Sequence, residues 1–357
     1  MPANGAMLRL ARQRRQLPQI DAAPKLGIDQ SLLSRIENRV VEVREEVLLR
    51  AEGLYGVPRS FFYLTDPVYG APVSVHAMWR RKSDVSVREM DAIIAELNVR
   101  VMHLRRLLDG AEYVHANDLP RLDIDDYGDP EKIAGLVRAH WQVPAGPIND
   151  LTLLVERAGV LVTYSPLGGA SVSGVTFAPP GLPPLIVLNS DQPADRLRFT
   201  LAHELAHLVM HRFPSPNMEM EANSFASAML MPAADIKPYF IGKRVDLALL
   251  ASLKPEWKVA IQALLMRGTS LEVIAKNRAQ YLWKQINARR IRLREPPELD
   301  FAPESPTAIN SFVRVHREAL GYSEADLAAL LHMLESDFRH TYPAVATMPR
   351  SRFAILK

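Results

Sequence analysis

Arg198-Phe199-Thr200-Leu201-Ala202-His203-Glu204-Leu205-Ala206-His207-Leu208-Val209-Met210-His211 is the stretch on which the reading of the chain turns. Phe199, Leu201, Leu205, Leu208 and Val209 supply an apolar face, so a buried helix is expected from about Ala194 to His211. Within it, His203-Glu204-x-x-His207 places two imidazoles at i and i+4. They share one helix face and can reach one cation at about 2.0–2.1 Å. Glu204 sits beside the first histidine. It is placed to take a proton from an attacking water and pass it to a leaving amine. Two unrelated histidines would satisfy the same five letters. Context argues against that: β-branched runs precede the helix, and a glutamate-bearing helix follows after a short loop.

A catalytic zinc site needs a third protein ligand and keeps a position for water. His211 continues the i+4 series, but i to i+8 spans about 12 Å along the axis, too far for one ion. It is expected as a supporting group or as a cation at the helix C-terminus. The better third ligand is a carboxylate on the next helix, expected from about Met218 to Leu230. Glu219 and Glu221 lie about 200° apart around that helix, so only one faces the ion. Glu221 shares its face with Phe225 and Ala228 and is favoured; Glu219 is the alternative. Zn²⁺ is the expected cofactor, with Mn²⁺ or Fe²⁺ also compatible with imidazole and carboxylate.

Outward from this motif, the 357 residues imply two or three domains. The absence of cysteine excludes disulfide scaffolds, thiol catalysis and sulfur-ligated zinc, and fits a cytoplasmic protein. No run is apolar enough to span a membrane, and no secretory signal is read at the N-terminus. Net charge is only +3, so a polyanion partner must be argued from distribution. Arg9, Arg12, Arg14 and Arg15 open the chain without an acidic neighbour, and Lys276 to Arg294 carries seven basic residues and no acidic one. Trp79-Arg80-Arg81-Lys82 is a further basic run with an aromatic. Such runs are more often solvated faces than contacts.

Short helices are expected at Gln19–Leu26, Gln30–Asn38 and Arg44–Tyr55, the last closed by Gly56. Asp66 to Pro72 reads as a boundary. Ser86-Val87-Arg88-Glu89 is a capping box that opens a long amphipathic helix with a core-packing stripe, Met90 to Leu108. Val160–Tyr164, Val172–Phe177 and Leu185–Leu188 read as strands of a small sheet. A proline-rich linker, Glu295 to Pro306, precedes a helical C-terminal unit expected as an interaction or dimer element.

The motif stretch, with Glu221-Ala222-Asn223-Ser224-Phe225-Ala226, Leu230-Met231-Pro232, Leu253 to Val259 and Arg267, resembles the ImmA/IrrE family of zinc metallopeptidases over roughly residues 145–297. The resemblance implies His203, His207 and Glu221 as zinc ligands and Glu204 as general acid/base. It also implies a small sheet packed on the motif helix, in a minimal thermolysin-like arrangement. Tyr239, Tyr281 and Arg267 are oxyanion donors by residue type only, and none is assigned.

Residues 7–64 resemble the XRE (Cro/C1-type) helix-turn-helix family through Leu8-Arg9-Leu10-Ala11-Arg12, Leu26-Gly27-Ile28, Leu33-Ser34-Arg35-Ile36-Glu37-Asn38 and Gly56-Val57-Pro58. The resemblance implies that the second helix of the motif enters the major groove. Gln30, Ser31 and Ser34 would then face base edges. Arg9, Arg12, Arg35 and Arg39 would hold phosphates, and Gln19 would touch the backbone. Two residues depart from the pattern. Pro24 falls inside a helix, where it costs roughly 3 kcal/mol in a regular segment. Arg39 stands where the family usually has glycine.

The expected fold class is α+β and mostly helical. It comprises a helix-turn-helix domain at 1–68, a helical connector at 69–145, a metallopeptidase domain at 146–297 and a small helical element at 298–357. The expected function is a DNA-binding regulator, dimeric on its double-stranded operator, that hydrolyses a peptide bond in a partner regulator. The alternative is a non-proteolytic repressor or antitoxin-like protein with a structural or sensory metal.

Overall fold

Helix signals at the start of the chain become four short helices: α1 (Gly5–Arg14), α2 (Gln19–Lys25), α3 (Gln30–Glu37) and α4 (Glu45–Tyr55), followed by a 3₁₀ turn at Arg59–Tyr63. The structure is a computed structural model and describes residues 2–71, 86–167, 172–292 and 294–342, with the backbone of a strand at 353–355. Trp79-Arg80-Arg81-Lys82 lies outside the described residues. Asn4 and Asp29 cap α1 and α3 through their side-chain oxygens. Gly56 closes α4 at φ +61°, where any Cβ would strike the Arg15 guanidinium. Pro24 sits one residue before the end of α2, where the exposed ring interrupts little of the hydrogen-bond ladder.

The capping box forms: Glu89 N donates to Ser86 Oγ at 3.2 Å and Ser86 N donates to Glu89 Oε2 at 2.8 Å. It starts α5 (Val87–Asp109). This helix belongs to two cores. Ala95, Val99 and Met102 pack on the head, while Met90, Ile93, Leu97 and Leu104 pack on one face of the sheet.

After β1 (Ala111–Tyr113) come α6 (Pro130–His140) and α7 (Leu151–Arg157). The sheet comprises β2 (Leu161–Ser165), β3 (Gly174–Phe177) and β4 (Leu185–Asn189) in the order β2-β4-β3. β2 runs parallel to β4, and β3 antiparallel to it, with Val175 opposite Val187. Alternation divides the two faces. Val160, Val162, Ile186 and Leu188 point to the core of α8 (Ala194–Met210) and α9 (Met218–Leu230). Leu161, Val175, Leu185 and Val187 point the other way, to α5 and the C-terminal helices. A sheet with both faces covered carries continuous apolar strands, as these do.

Three helices complete the larger core: α10 (Leu247–Trp257), α11 (Ile261–Ser270) and α12 (Lys276–Ala288). The C-terminal unit is α13 (Ala308–Glu318), α14 (Glu324–Leu330) and α15 (Glu335–Thr341). Phe312, Leu327 and Phe338 of this unit are buried against the sheet and α5. A strand that the sequence did not announce, β5 (Phe353–Ile355), pairs antiparallel with β1. Among the described residues no helix is long and apolar enough to cross a membrane.

Candidate functional site

Helix α8 is buried on nearly every side, so it carries the motif as a rigid rod. The Nε2 atoms of His203 and His207 converge to 3.1 Å. Two nitrogens bound tetrahedrally to one zinc would stand about 3.3 Å apart, so the pair is set for one ion. A carboxylate oxygen of Glu204 joins them in a cluster whose ligand atoms lie within 4.8 Å of one another. Glu204 itself is 1% exposed and accepts from the Thr176 hydroxyl of β3 at 2.6 Å. Burial lowers the pKa of His203, which favours the neutral imidazole that a metal needs.

Both candidate carboxylates of α9 stand near the histidines, at different partners. Glu219 presents its oxygens 3.4 Å from His207 Nε2 and 3.7 Å from His203 Nε2. Glu221 instead meets His211 Nε2 at 3.1 Å. Apolar spacing favoured Glu221 because Phe225 and Ala228 were assigned to the interface with α8. In the fold, α9 packs on both α6 and α8, so its apolar residues serve two neighbours. The side turned to the histidines is the polar i, i+4 pair Glu219 and Asn223. His, His and carboxylate donors converging on one point are a set that fits Zn²⁺.

In the head, Arg12 is turned inward. Its Nε and Nη2 donate to the two oxygens of the buried Glu37 at 2.6 and 2.8 Å, and Nη1 donates to Leu17 O at 2.6 Å. Gln19 donates to Glu37 Oε2 at 2.8 Å. Through Glu37 these two residues tie α1, α2 and α3 together. Gln30, Ser31 and Arg35 stand exposed on α3, with Ser34 half-buried among them. Arg39 is exposed and has φ +60°, the left-handed conformation that the missing glycine would have taken without strain.

Residues 155–269 match the family model described as the IrrE N-terminal-like domain, and residues 8–62 match a model described as helix-turn-helix. An N-terminal helix-turn-helix domain is fused to an IrrE/ImmA-like peptidase domain. No curated protein matches the chain. The peptidase domain carries a compact metal-coordinating cluster of the kind a catalytic H-E-x-x-H site requires. The domain architecture is consistent with a DNA-binding regulator bearing a zinc-peptidase module.

Around the cluster, each histidine is held through its second nitrogen, as metal-binding imidazoles usually are. His203 Nδ1 meets Asn223 Oδ1 at 3.1 Å, and His207 Nδ1 meets His211 Nδ1 at 2.9 Å. Burial lowers the His211 pKa to about 4, and His211 Nε2 meets Glu221 at 3.1 Å. Gly174 lets β3 approach α8: a Cβ there would lie 2.6 Å from Thr200 Cγ2 and 3.3 Å from Glu204 Cγ. Sequence reasoning missed Asn223, Thr176 and Gly174. Asn223 had a signal, the i+4 step from Glu219. Thr176 had none, because only the sheet brings it to Glu204. Arg267 is buried against Glu131 at 2.7 Å and Met231 O at 2.9 Å, a structural role.

Proposed function

We propose that the chain is a DNA-binding transcriptional regulator whose peptidase domain hydrolyses a peptide bond in a protein partner, itself a regulator. The observation that carries this reading is the convergence of His203, His207 and Glu219 beside a buried Glu204 at the edge of the sheet. In this reading His203, His207 and Glu219 hold a divalent cation, with zinc the default for such donors. Bound there, the cation supplies Lewis-acid activation of water and carbonyl.

The protein's own groups do the rest. Glu204 removes a proton from the attacking water and delivers it to the departing amine. Thr176 holds one Glu204 oxygen in place, leaving the other for the proton. Asn223 fixes the His203 ring, and His211 with Glu221 fixes that of His207. β3 is an edge strand beside Glu204, so an extended peptide laid along it would bring its backbone to the carboxylate.

Binding to the operator falls to residues 1–68. Gln30, Ser31 and Ser34 read bases, and Arg35 and Arg39 hold phosphates of double-stranded DNA from a homodimer in the cytoplasm. Arg12 and Gln19 support that surface from within. Residues 69–145 connect and 146–297 hydrolyse, and α13 to α15 cover the second face of the sheet.

The test pairs Glu204→Gln with the parent chain against candidate regulators. Lost cleavage with zinc retained is expected. Full cleavage by the variant refutes the assignment. Zinc and salt-sensitive operator binding without cleavage by the parent chain would leave a non-proteolytic regulator with a structural or sensory metal.

A further inference from the structure

A cavity of about 360 Å³ opens beside Asn223, the partner of His203, bounded by α8, α9, α11 and the segment after α12. Two of its walls belong to the metal centre. Phe199 lies one turn before His203 on α8, and Asn223, which meets His203 Nδ1 at 3.1 Å, lines the same space. Ala263 and Met266 of α11 form an apolar side, and Met266 is 61% exposed, an unbranched thioether left at the opening. A flexible thioether at an opening adapts to different apolar partners.

The rim is charged. Arg196, Arg292 and Arg294 lie on it, with Asp300 as their acidic counterpart. The other two acids at the cavity, Asp195 and Glu295, accept from the buried Lys254 ammonium at 2.6 and 2.7 Å, which offsets much of their charge. In the stretch leading to Arg292 and Arg294, Lys276 to Arg294 holds no acidic residue, and Lys284, Arg289 and Arg290 on it are exposed. A run of exposed cations attracts an acidic ligand.

The geometry points to this cavity as the substrate side-chain pocket of the peptidase domain, taking a large apolar residue of a protein whose flanking residues are acidic. The inference rests on the peptidase reading. An apolar side chain enters between Phe199, Ala263 and Met266, while Arg292 and Arg294 meet the carboxylates beside it. The pocket's wall holds the His203 ring, so an anchored side chain fixes the adjacent peptide bond at the metal centre.

The test uses the zinc-loaded full chain with Glu204→Gln and three labelled peptides of equal length, read by fluorescence anisotropy. One has a central Leu-Phe pair between Asp and Glu flanks, one has the same pair between Lys flanks, and one has Ser-Ser between acidic flanks. The first is expected to bind about tenfold tighter than either of the others. Met266→Glu, and Arg292→Glu with Arg294→Glu, change exposed residues and are each expected to weaken it about tenfold. Equal affinities, no binding by any peptide, or unchanged binding in both variants would overturn the pocket. With Glu204 intact, the two readings separate. Selective binding without hydrolysis leaves the pocket and removes the peptidase reading. Hydrolysis of all three peptides alike does the reverse.

Discussion

Arg14, on the first helix of the head, donates to Glu96 of α5 at 2.7 Å, and Arg100 of α5 donates to the other oxygen at 2.8 Å. Ser165, at the end of β2, donates to the same carboxylate at 3.3 Å. One side chain thereby touches the helix-turn-helix domain, α5 and the end of β2 in the sheet. Burial pushes the Glu96 carboxyl up, but Arg100 and Arg14 more than offset this and hold it well below the usual carboxylate range.

Glu96→Gln leaves two guanidinium groups facing a neutral partner in a mostly buried place. A loss of about 3 kcal/mol of stability is expected, measured by chemical denaturation. The depressed pKa means that the parent chain holds this contribution above the unfolded carboxyl pKa and loses it as pH falls further. The variant should therefore show a flatter acid limb. Equal stabilities for the two proteins would remove the clamp.

Glu219 and Glu221 are separable by metal affinity. Glu219→Gln removes a carboxylate that faces both Nε2 atoms and should weaken zinc at least about a hundredfold. Glu221→Gln acts only through His211 and should cost about tenfold or less. Competition with a chromogenic chelator reads both constants, and the opposite order would make Glu221 the ligand.

Arg39 holds φ +60° without a glycine. Arg39→Gly relieves that backbone and should raise stability by about 1 kcal/mol, seen as a higher Tm. The same change removes a cation from the proposed phosphate-contact surface, so operator affinity should fall and its salt dependence should become shallower by about one charge.

Glu156, at the end of α7, accepts from the backbone N–H groups of Thr307 and Ala308 at 3.0 to 3.1 Å and from the Thr307 hydroxyl at 2.8 Å, anchoring the start of α13. Burial pushes its pKa up to about 7, against those hydrogen bonds. At low pH both folded and unfolded chains carry the proton. As pH rises from about 4.5 toward 7, the unfolded chain ionises first, so stability falls across that window by something on the order of 3 kcal/mol. Glu156→Gln keeps an acceptor for the backbone and should flatten the fall between about pH 5 and pH 8, as followed by Tm. An unchanged slope would mean that Glu156 ionises normally.

Local signals were legible wherever their cause was local. The i and i+4 histidines and the Ser86 and Glu89 capping box both depend on residues within one or two turns, and the folded chain shows each of them. The H-E-x-x-H pair needed only helix pitch to declare itself. The choice between Glu219 and Glu221 could not be made that way, because the answer depends on which of two neighbours each side of α9 meets. Arg12 looked like a free cation in a basic run, and only the fold brings the buried Glu37 to it from another helix. The role of the C-terminal helices was likewise set by the uncovered second face of the sheet, which no segment of their own sequence records. Sequence alone determined the chemistry that could be present, since side-chain type and helical spacing are written in the chain. Tertiary structure decided which of those groups meet, since burial, facing and charge pairing depend on residues far away in sequence.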